Sequence, residues 1–454
     1  MQKIVVALLT FFSPIFAQSQ TTIVSYDEAV KLALEQNLLI KREENQLNIF
    51  RADKLETQGR FIPSVSLNGN ADQTSGRQFD LTSGQLVTQT SQRLSMGVNA
   101  SLVLFDGFNR INSIKQAQYN FQAQQNSRDR IKQQVVFLTT QQFLQVLLDK
   151  ELVKIAAQNL EEQKILLERL KEFSDVGTVP ITDYYNQNAA VKRLEMELLQ
   201  AQNQLLSDKA IFAQTIQFDP KSDFTLKEPV WVEKKSQLDQ FNLFELYELA
   251  LENRKDFKQQ NLITSAENLN IRIARGQLLP SLSAYYNYGT GFSSVYKRED
   301  PETKLFDVVP LADQLFSDNL FSSFGVSLRV PILDNFSTRA RISRAKNFAE
   351  NQQLVAEDLK RTIFNEVQGA YLDYNAMTDR YEAAEETIQA AELAFNAQKE
   401  RFAIGLGNLL EYTAANTALV RGQSELVQAQ FSLAFQKSIL DYYTGTLAIN
   451  QDVN

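Results

Sequence analysis

The stretch that decides the fold is SYDEAVKLALEQN, residues 25–37, because a second version of it, NLFELYELALENR, occupies residues 242–254. The two stretches are related by an offset of 217 residues, and the same offset brings Pro63 onto Pro280. Self-similarity at a fixed spacing is typical of a chain built from repeated structural units. The sequence therefore predicts a tandem duplication, and the function has to be derived from the repeated unit.

The second half of each copy aligns at a larger offset, 228 residues, which pairs Gly177 with Gly405. The difference between the two offsets means that the second copy carries an insertion of 11 residues, between Tyr296 and Asn319. Each copy is predicted to contain a helix, two strands, a very long helix and a shorter helix, in that order.

The first residues have the layout of a secretory signal peptide. Lys3 precedes an apolar run from Ile4 to Phe16, which ends at Ala17 and is too short to span a bilayer as a helix. We therefore expect residues 1–17 to be a signal peptide and the mature protein to be exported.

The composition excludes several kinds of chemistry. The chain has no Cys and no His, which removes disulfides, thiol or imidazole metal ligands, and every catalytic scheme that depends on those side chains. Its net charge of −8 argues against a nucleic-acid partner. No pair of carboxylates lies in a recognisable catalytic context, so we expect neither a cofactor nor an enzymatic activity.

Long uninterrupted helices dominate both copies. The segment 110–175 contains no Gly or Pro, and as one helix it would be ~100 Å long. We predict a first repeat at 18–217 and a second at 243–454, joined by a linker at 218–242. The predicted helices are 26–60, 110–175 and 180–217 in the first repeat, and 243–277, 337–404 and 408–444 in the second.

Large residues recur every seven positions in the long helices, as Val153, Leu160 and Leu167 do in the first copy. This is the spacing of a coiled coil. A soluble two-stranded coiled coil would account for the helices, but it leaves the segments between them unexplained.

Those segments, about 61–105 and 280–333, alternate apolar and polar residues, with Leu67, Val98 and Val326 among the apolar ones. Such alternation is typical of a membrane barrel with lipid outside and water inside, and equally of a soluble sheet with one buried face. Four strands are too few to close a barrel. Three subunits would supply twelve strands, which lies within the range of outer-membrane barrels.

Together these features resemble the TolC family of outer-membrane efflux proteins. The resemblance rests on the signal peptide, the duplicated unit, the segment Leu104-Phe105-Asp106-Gly107 and the helical turns at Gly177 and Gly405. It implies a TolC-like α+β membrane protein, in which each subunit contributes four strands to a trimeric 12-stranded β-barrel atop a long periplasmic α-helical barrel.

The resemblance also implies partners and a function. It implies a homotrimer embedded in the lipid of the Gram-negative outer membrane, with a periplasmic adaptor (membrane fusion) protein and an inner-membrane transporter as partners. The implied function is the exit channel of a tripartite efflux pump or type I secretion system, which passively conducts substrates from the periplasm to the exterior.

The same resemblance assigns roles to residues at the two helical turns. It places the docking of the adaptor at residues Val176, Gly177, Thr178, Ile404, Gly405 and Leu406. It places acidic residues at a narrow channel entrance, and Asp183 and Glu411 occupy those positions, with Tyr184 and Tyr412 beside them. An acidic residue in the first turn of a helix is also what the helix dipole favours, and the tyrosines equally suit aromatic packing.

The chain departs from the family pattern at two positions beside the entrance. A second acidic residue that the family can carry corresponds to Ala414, and an arginine that can hold the entrance closed corresponds to Gly407. The entrance network is therefore expected to be weaker here, or to use different residues.

Two classes of function remain open from the sequence. The first is the passive exit channel, and the second is a non-channel coiled-coil scaffold or adaptor of the periplasm. Only the channel requires strands with a lipid-compatible face, so partition into the outer membrane and heat-modifiable migration would separate the two.

Overall fold

A computed structural model describes residues 22–80, 83–219, 223–229 and 242–447. The predicted signal peptide at 1–17 and most of the predicted linker at 218–242 lie outside the described residues. The described chain forms two compact units. A helical unit comprises the described parts of 22–44, 127–256 and 360–447, and a sheet unit comprises those of 45–126 and 257–359.

The elements follow the order that the duplication predicts, with shorter elements added. In chain order they are β1 (Thr22–Val24), α1 (Tyr26–Gln36), α2 (Leu38–Gly59), β2 (Ser64–Asp80), β3 (Gln85–Asp106), α3 (Asn109–Asp175), α4 (Ile181–Thr215), β4 (Phe224–Leu226), α5 (Leu243–Asn253), α6 (Lys255–Gly276), β5 (Ser281–Ser293), β6 (Lys297–Glu299), β7 (Phe306–Val308), α7 (Leu311–Asp313), a π-helix (Gln314–Asp318), β8 (Phe321–Arg329), α8 (Ser337–Ala403) and α9 (Leu409–Thr444). The helices α3 and α8 have the same length, 67 residues. Among the helices in the described ranges, none is long and apolar enough to cross a membrane.

Each copy opens with two helices where the sequence predicts one. The helix expected at 26–60 breaks at Asn37, whose backbone is extended (φ −61°, ψ 129°). The Asn37 Oδ1 accepts a hydrogen bond from the backbone N–H of Leu39 at 2.9 Å, and its Nδ2 donates to the backbone carbonyl of Thr215 at 3.3 Å. Because a short polar side chain competes with the helical ladder in this way, the break needs neither glycine nor proline.

The helix expected at 243–277 breaks at the equivalent residue, Arg254 (φ −60°, ψ 125°). Arg254 is buried, and its guanidinium forms ion pairs with Asp256 and with Glu366 of α8. The end of α9 packs against this break, because a Cβ at Gly445 would lie 2.8 Å from the backbone nitrogen of Arg254. Gly445 also has a φ of 74°, so glycine is required there for both its conformation and its size.

The core of the helical unit lies between α1, α3 and α4. Ala29 and Ala33 on one side of α1 are fully buried, and so are Phe143 of α3 and Phe212 of α4, whose rings meet edge to face with centroids 5.9 Å apart. The parallel pair of β1 and β4 covers this core, with Val24 opposite Leu226. The sequence did not predict this strand pair, because each strand has only three residues.

The sheet unit contains a four-stranded antiparallel sheet in the order β2-β3-β5-β8. Its register confirms the predicted faces, since Leu67 is opposite Val98, Val98 is opposite Tyr288, and Ala284 is opposite Val326. Directly opposed residues share one face of a sheet, so the predicted apolar positions of all four strands form a single surface. In the described chain, β2 and β8 are edge strands.

The junction between β3 and α3 explains the segment Leu104-Phe105-Asp106-Gly107. The Asp106 carboxylate accepts hydrogen bonds from the backbone N–H of Arg110 at 3.2 Å and from its Nε at 3.1 Å, so it caps the first turn of α3. Gly107 has a φ of 69°, and a Cβ there would overlap the backbone carbonyl of Gly276. The segment is therefore a tight strand-to-helix turn that packs against the end of α6.

The connection between β5 and β8, which contains the predicted insertion, is folded. It consists of the β6–β7 hairpin, α7 and the π-helix. The buried Gln314 ties it to β5, because its Oε1 accepts from the N–H of Ser293 at 2.9 Å and its Nε2 donates to the Ser293 carbonyl at 3.1 Å. The connection is therefore an ordered extension of the sheet unit.

Candidate functional site

The turn between α3 and α4 has a defined hydrogen-bond pattern. Gly177 adopts a left-handed conformation with a φ of 76°. The N–H of Gly177 donates to the carbonyl of Ser174 at 3.0 Å, and the N–H of Thr178 donates to the carbonyl of Phe173 at 2.9 Å. These two bonds define a Schellman motif, which closes the end of α3.

The turn between α8 and α9 repeats this geometry. Gly405 has a φ of 77°, its N–H donates to the carbonyl of Phe402 at 3.1 Å, and the N–H of Leu406 donates to the carbonyl of Arg401 at 2.8 Å. The two turns are therefore equivalent in backbone structure as well as in sequence position.

The turn glycines are needed for their left-handed backbone conformation. They are not needed to avoid a steric clash within the chain. A Cβ at Gly177 or Gly405 would meet no atom within 4 Å, so both positions face open space. Gly407 differs, because a Cβ there would lie 3.0 Å from the backbone nitrogen of Phe402. Any larger side chain at this position would press on the end of α8.

Both turns present apolar side chains outward. Val176 is 73% exposed in the first turn, and Ile404 and Leu406 are each 71% exposed in the second. Thr178 is exposed as well, although its hydroxyl donates to the carbonyl of Phe173 at 2.8 Å. The two turns therefore carry exposed apolar surface at equivalent places.

Asp183 is the third residue of α4. Its backbone N–H donates to the carbonyl of Pro180 at 3.0 Å, and Pro180 provides no side-chain cap. Within the described residues, no hydrogen bond or ion pair reaches the half-buried Asp183 carboxylate. Its charge is therefore supported by the helix dipole alone and is available to solutes.

Glu411 occupies the equivalent position in α9 but has partners. The N-cap residue Asn408 accepts a hydrogen bond from the Glu411 N–H at 2.7 Å, and the Asn408 Nδ2 donates to Glu411 Oε1 at 3.2 Å. The guanidinium of Arg401 lies 3.8 Å from Glu411 Oε2. This carboxylate therefore contacts both the side chain of the N-cap residue and a guanidinium, so part of its charge is neutralised.

Tyr412 lies in the interior of the helical unit. It is 7% exposed, and its ring contacts Phe395 at 5.5 Å and Phe402 at 5.3 Å between centroids. Leu166 and Leu170 of α3 complete the cluster, which joins the two helical hairpins near their turns. Burial, with a smaller effect from Glu162, raises the pKa of the Tyr412 hydroxyl. Its position favours aromatic packing over a place at the entrance.

Tyr184 stands at the corresponding position of the first copy and has a different environment. It is half-buried and meets the exposed Tyr185 edge to face, with centroids 5.4 Å apart. The first copy therefore presents aromatic side chains to solvent where the second copy buries its own.

The sequence analysis missed Arg401. This residue precedes the second turn by a few positions, and the turn folds its guanidinium back onto the start of α9. An arginine is thus paired with Glu411 beside the second turn, although Gly407 and Ala414 depart from the pattern that the resemblance implies. The sequence feature that could have revealed this ion pair is an arginine in the last turn of one helix followed by a glutamate in the first turn of the next.

Comparisons with known proteins agree with this architecture. The model of the family described as "Outer membrane efflux protein" matches residues 29–214 and 246–446, one stretch in each copy. The chain is 20% identical to the outer membrane efflux protein BepC of Brucella suis, over 79% of this chain and 73% of BepC. It is also 20% identical to TtgC of Pseudomonas putida, a probable efflux pump outer membrane protein, over 90% of this chain and 81% of TtgC.

The fold agrees with a solved structure as well. The crystal structure of CusC superposes with a TM-score of 0.79 at 16% sequence identity, over 94% of this chain and 93% of CusC. The agreement therefore extends over nearly the whole of both chains.

Proposed function

This chain belongs to the outer membrane efflux protein family and is an exit channel of the Gram-negative outer membrane. From this premise we propose which subunits and partner proteins form the working channel. It acts as a homotrimer that docks to a periplasmic adaptor protein and, through the adaptor, to an inner-membrane transporter. Substrates pass through it passively, because the transporter supplies the energy. The two repeats, 18–217 and 243–454 with the linker 218–242, then present two helical hairpins per subunit to the adaptor.

The observation that carries this proposal is the sheet. Its four strands have one apolar face, yet β2 and β8 are edges in the described chain. Unpaired backbone groups are not tolerated in lipid, since no water is present to replace the missing hydrogen bonds. A single subunit therefore cannot bury this sheet in a bilayer, and three copies joined edge to edge would leave no edge.

The two faces of the sheet support the same arrangement. Phe324 and Val326 of β8 are both exposed on the apolar face, while Asn287 and Ser323 on the other face hydrogen-bond to each other at 3.2 Å. An apolar outer face against lipid and a polar inner face against water are typical of outer-membrane barrels.

The turns support docking to an adaptor. Val176, Ile404 and Leu406 are apolar and largely exposed, and the open space around Gly177 and Gly405 allows another helix to approach closely. In this proposal the adaptor covers these side chains, which would stabilise the complex through burial of apolar area.

The entrance depends on Asp183 more than on Glu411. Three subunits would bring together two carboxylates each, but Arg401 and Asn408 engage Glu411 while the described residues leave Asp183 without a partner. The constriction would therefore select cations mainly through Asp183. Tyr184 lies beside it and would narrow the opening, whereas Tyr412 supports the hairpins from within.

Inter-subunit cross-linking tests the trimer directly, since the chain has no native cysteine. We would place one cysteine on β2 at Ser66 or Asn68 and another on β8 at Ser323 or Ser327, all on the polar face. Oxidation of outer membranes should yield a covalent trimer for at least one pairing. In the matched control the cysteine on β2 is moved to Asn99 of β3, an inner strand, and the cysteine on β8 is kept. This control should stay monomeric.

Two other results would contradict the proposal. If the protein stays monomeric after oxidation in every pairing of the two edge strands, the trimer is contradicted. A chain that fails to partition with the outer membrane and shows no heat-modifiable migration would instead favour the periplasmic scaffold.

A further inference from the structure

A carboxyl group is buried between the two helices of the first hairpin. Asp149 of α3 is 4% exposed, and its Oδ1 accepts a hydrogen bond from the Nε2 of Gln145 at 3.0 Å. Its Oδ2 is also buried, and no donor in the described part of the chain reaches it. A buried carboxylate oxygen without a donor is costly, because the charge has lost its water.

The neighbour that faces Asp149 is a second carboxyl group. Asp208 of α4 is the charged side chain that acts on Asp149, and it accepts a hydrogen bond from the Nε2 of Gln204 at 2.9 Å. Two neighbouring carboxylates repel when both are ionised, whereas a single proton between them forms a strong hydrogen bond. Burial first, and then the contact with Asp208, raises the pKa of Asp149 to about 7.

Among the described residues, no basic group is a cause of the raised pKa of Asp149. Asp208 is the charged group whose field acts on Asp149. Of the flanking lysines, Lys209 on α4 is bound to Asp223 at 3.0 Å, and Lys154 on α3 is bound to Glu151 at 3.1 Å. Lys150 follows Asp149 on α3 but contributes nothing to the raised pKa of Asp149.

The second copy provides an internal comparison. At the offset of 228, Asp149 corresponds to Met377 and Asp208 to Gln436. Gln436 is buried and its Nε2 donates to the backbone carbonyl of Ala370 at 3.2 Å, so the contact between α8 and α9 is satisfied without an ionisable group. The two hairpins of the subunit therefore differ at one equivalent place, where only the first can change charge near neutral pH.

We propose that Asp149 and Asp208 share one proton and form a pH-dependent latch between α3 and α4, closed in mild acid and released as the pH rises through neutrality. The periplasm exchanges small solutes with the medium, so this latch senses the external pH. Its release loosens the hairpin that carries Val176, Gly177 and Asp183, while the hairpin of the second copy is unaffected. The consequence for the channel rests on the proposed function, whereas the latch itself does not.

The direction of the effect follows from the protons bound in each state. An exposed aspartate releases its proton near pH 4, roughly, whereas the folded pair retains its proton to about pH 7. Between these values the folded state binds the additional proton, so the stability of the α3–α4 contact falls as the pH rises. The stabilisation is fully present below the pKa of the exposed aspartate and is lost as the pH rises above the pKa of the folded pair.

Hydrogen exchange of the full-length protein tests the latch. We would compare the protection of a peptide spanning 205–212 of α4 with that of the equivalent peptide, 433–440 of α9, at pH 6 and pH 8. Dividing the protection of the first peptide by that of the second cancels the pH dependence of intrinsic exchange. This ratio should fall roughly tenfold from pH 6 to pH 8, because the protonated fraction of a group titrating near 7 falls by about that factor.

The matched variant is Asp149→Asn, whose amide donates to Asp208 at every pH. Its exchange ratio should be the same at pH 6 and pH 8. Asp208→Gln, which installs the residue of the second copy, should show a smaller change than the wild type, because burial still raises the pKa of Asp149. A wild-type ratio that does not change, or one that changes equally in Asp149→Asn, would overturn the proposal.

Infrared spectroscopy gives a readout that does not depend on hairpin dynamics. The carbonyl band of a protonated carboxyl group should be present in the wild-type protein at pH 6, should disappear with a midpoint near pH 7, and should be missing in Asp149→Asn. Its absence from the wild-type protein at pH 6 would refute the shared proton. Neither measurement requires a trimer or an adaptor, so failure of the latch and failure of the proposed function are distinguishable.

Discussion

The guanidinium of Arg401 lies 3.8 Å from the carboxylate of Glu411, and the two residues stand on opposite sides of the second helical turn. Asn408 adds a second donor to the same carboxylate. Asp183, at the equivalent position of the first copy, has neither contact among the described residues. Two acidic residues that the duplication makes equivalent are therefore electrostatically different, and the predictions for the entrance follow from that difference.

Substitution Arg401→Gln should strengthen the block of the channel by divalent cations. Removal of the guanidinium exposes the full charge of Glu411, which can then join a multivalent ion. Both side chains of the pair are about half exposed, so the free energy of unfolding should change by only about 0–1 kcal/mol. Conductance of purified protein in planar bilayers measures the block.

The control for this prediction is Arg421→Gln. Arg421 pairs with Glu425 at 2.8 Å on the same helix, away from the turn. This variant should leave the block unchanged. An equal increase in both variants would mean that overall charge, and not the entrance, sets the affinity for cations.

Asp183→Asn should weaken the block by divalent cations more than Glu411→Gln does. Asp183 contributes an unpaired charge, whereas Glu411 already shares its charge with Arg401 and Asn408. The order should reverse for stability, because of the two carboxylates only that of Glu411 has side-chain partners in the described chain, and loss of such exposed contacts costs about 0–1 kcal/mol. Bilayer titrations and thermal unfolding of the same preparations test both parts, and equal block by the two variants would contradict the asymmetry.

Gly405→Ala should destabilise the second turn more than Gly405→Asn does. The φ of 77° costs an alanine roughly 1–2 kcal/mol, whereas asparagine visits this conformation readily. Asparagine still adds a side chain to the docking surface, so it should reduce export while the protein stays folded. Thermal unfolding and an export assay on cells with matched protein levels separate the two effects.

Gly369→Ala is the matched control for the turn. Gly369 lies inside α8 in an ordinary helical conformation, and a Cβ there meets no atom within 4 Å. Alanine should raise stability by up to about 1 kcal/mol and leave export unchanged. If export fell in this variant too, the effect at Gly405 would reflect general disturbance of the helices.

Val326→Arg should impair assembly in the membrane, and Ser327→Arg should not. The two residues are adjacent on β8 but point to opposite faces, Val326 to the apolar face and Ser327 to the polar one. Arginine on the lipid side costs about 2–4 kcal/mol near the bilayer midplane. The yield of heat-modifiable protein in outer membranes measures the difference, and equal yields would contradict lipid contact at Val326.

The elements that the sequence predicted well are those whose signals occur twice. The strands alternate strictly in both copies, so their faces could be assigned before the register was known. The break at Asn37 combines a local hydrogen bond from Leu39 with one to Thr215, which is distant in the chain, and the second could not be predicted from the sequence. The break at Arg254 depends in the same way on Glu366. Local propensity describes neither contact.

The candidate site was predictable in its positions and not in its contacts. The turn glycines follow from the end of an apolar pattern, and their φ values agree with that role. The burial of Tyr412 depends on Phe395 and Phe402, which pack against it from another helix, so no local pattern distinguishes it from Tyr184. The pairing of Arg401 with Glu411 depends on how the turn folds back, which becomes evident only in three dimensions.

The helical unit draws on three separate stretches of the chain, and this has a consequence for biogenesis. Arg254 acquires Glu366 and the packing of Gly445 only when the last stretch has crossed the inner membrane. Until then α1 and α3 lack part of their partner surface, and such non-local contacts form slowly. We therefore expect the nascent chain to stay incompletely folded until α9 arrives, and any truncation before α9 should be degraded and not inserted.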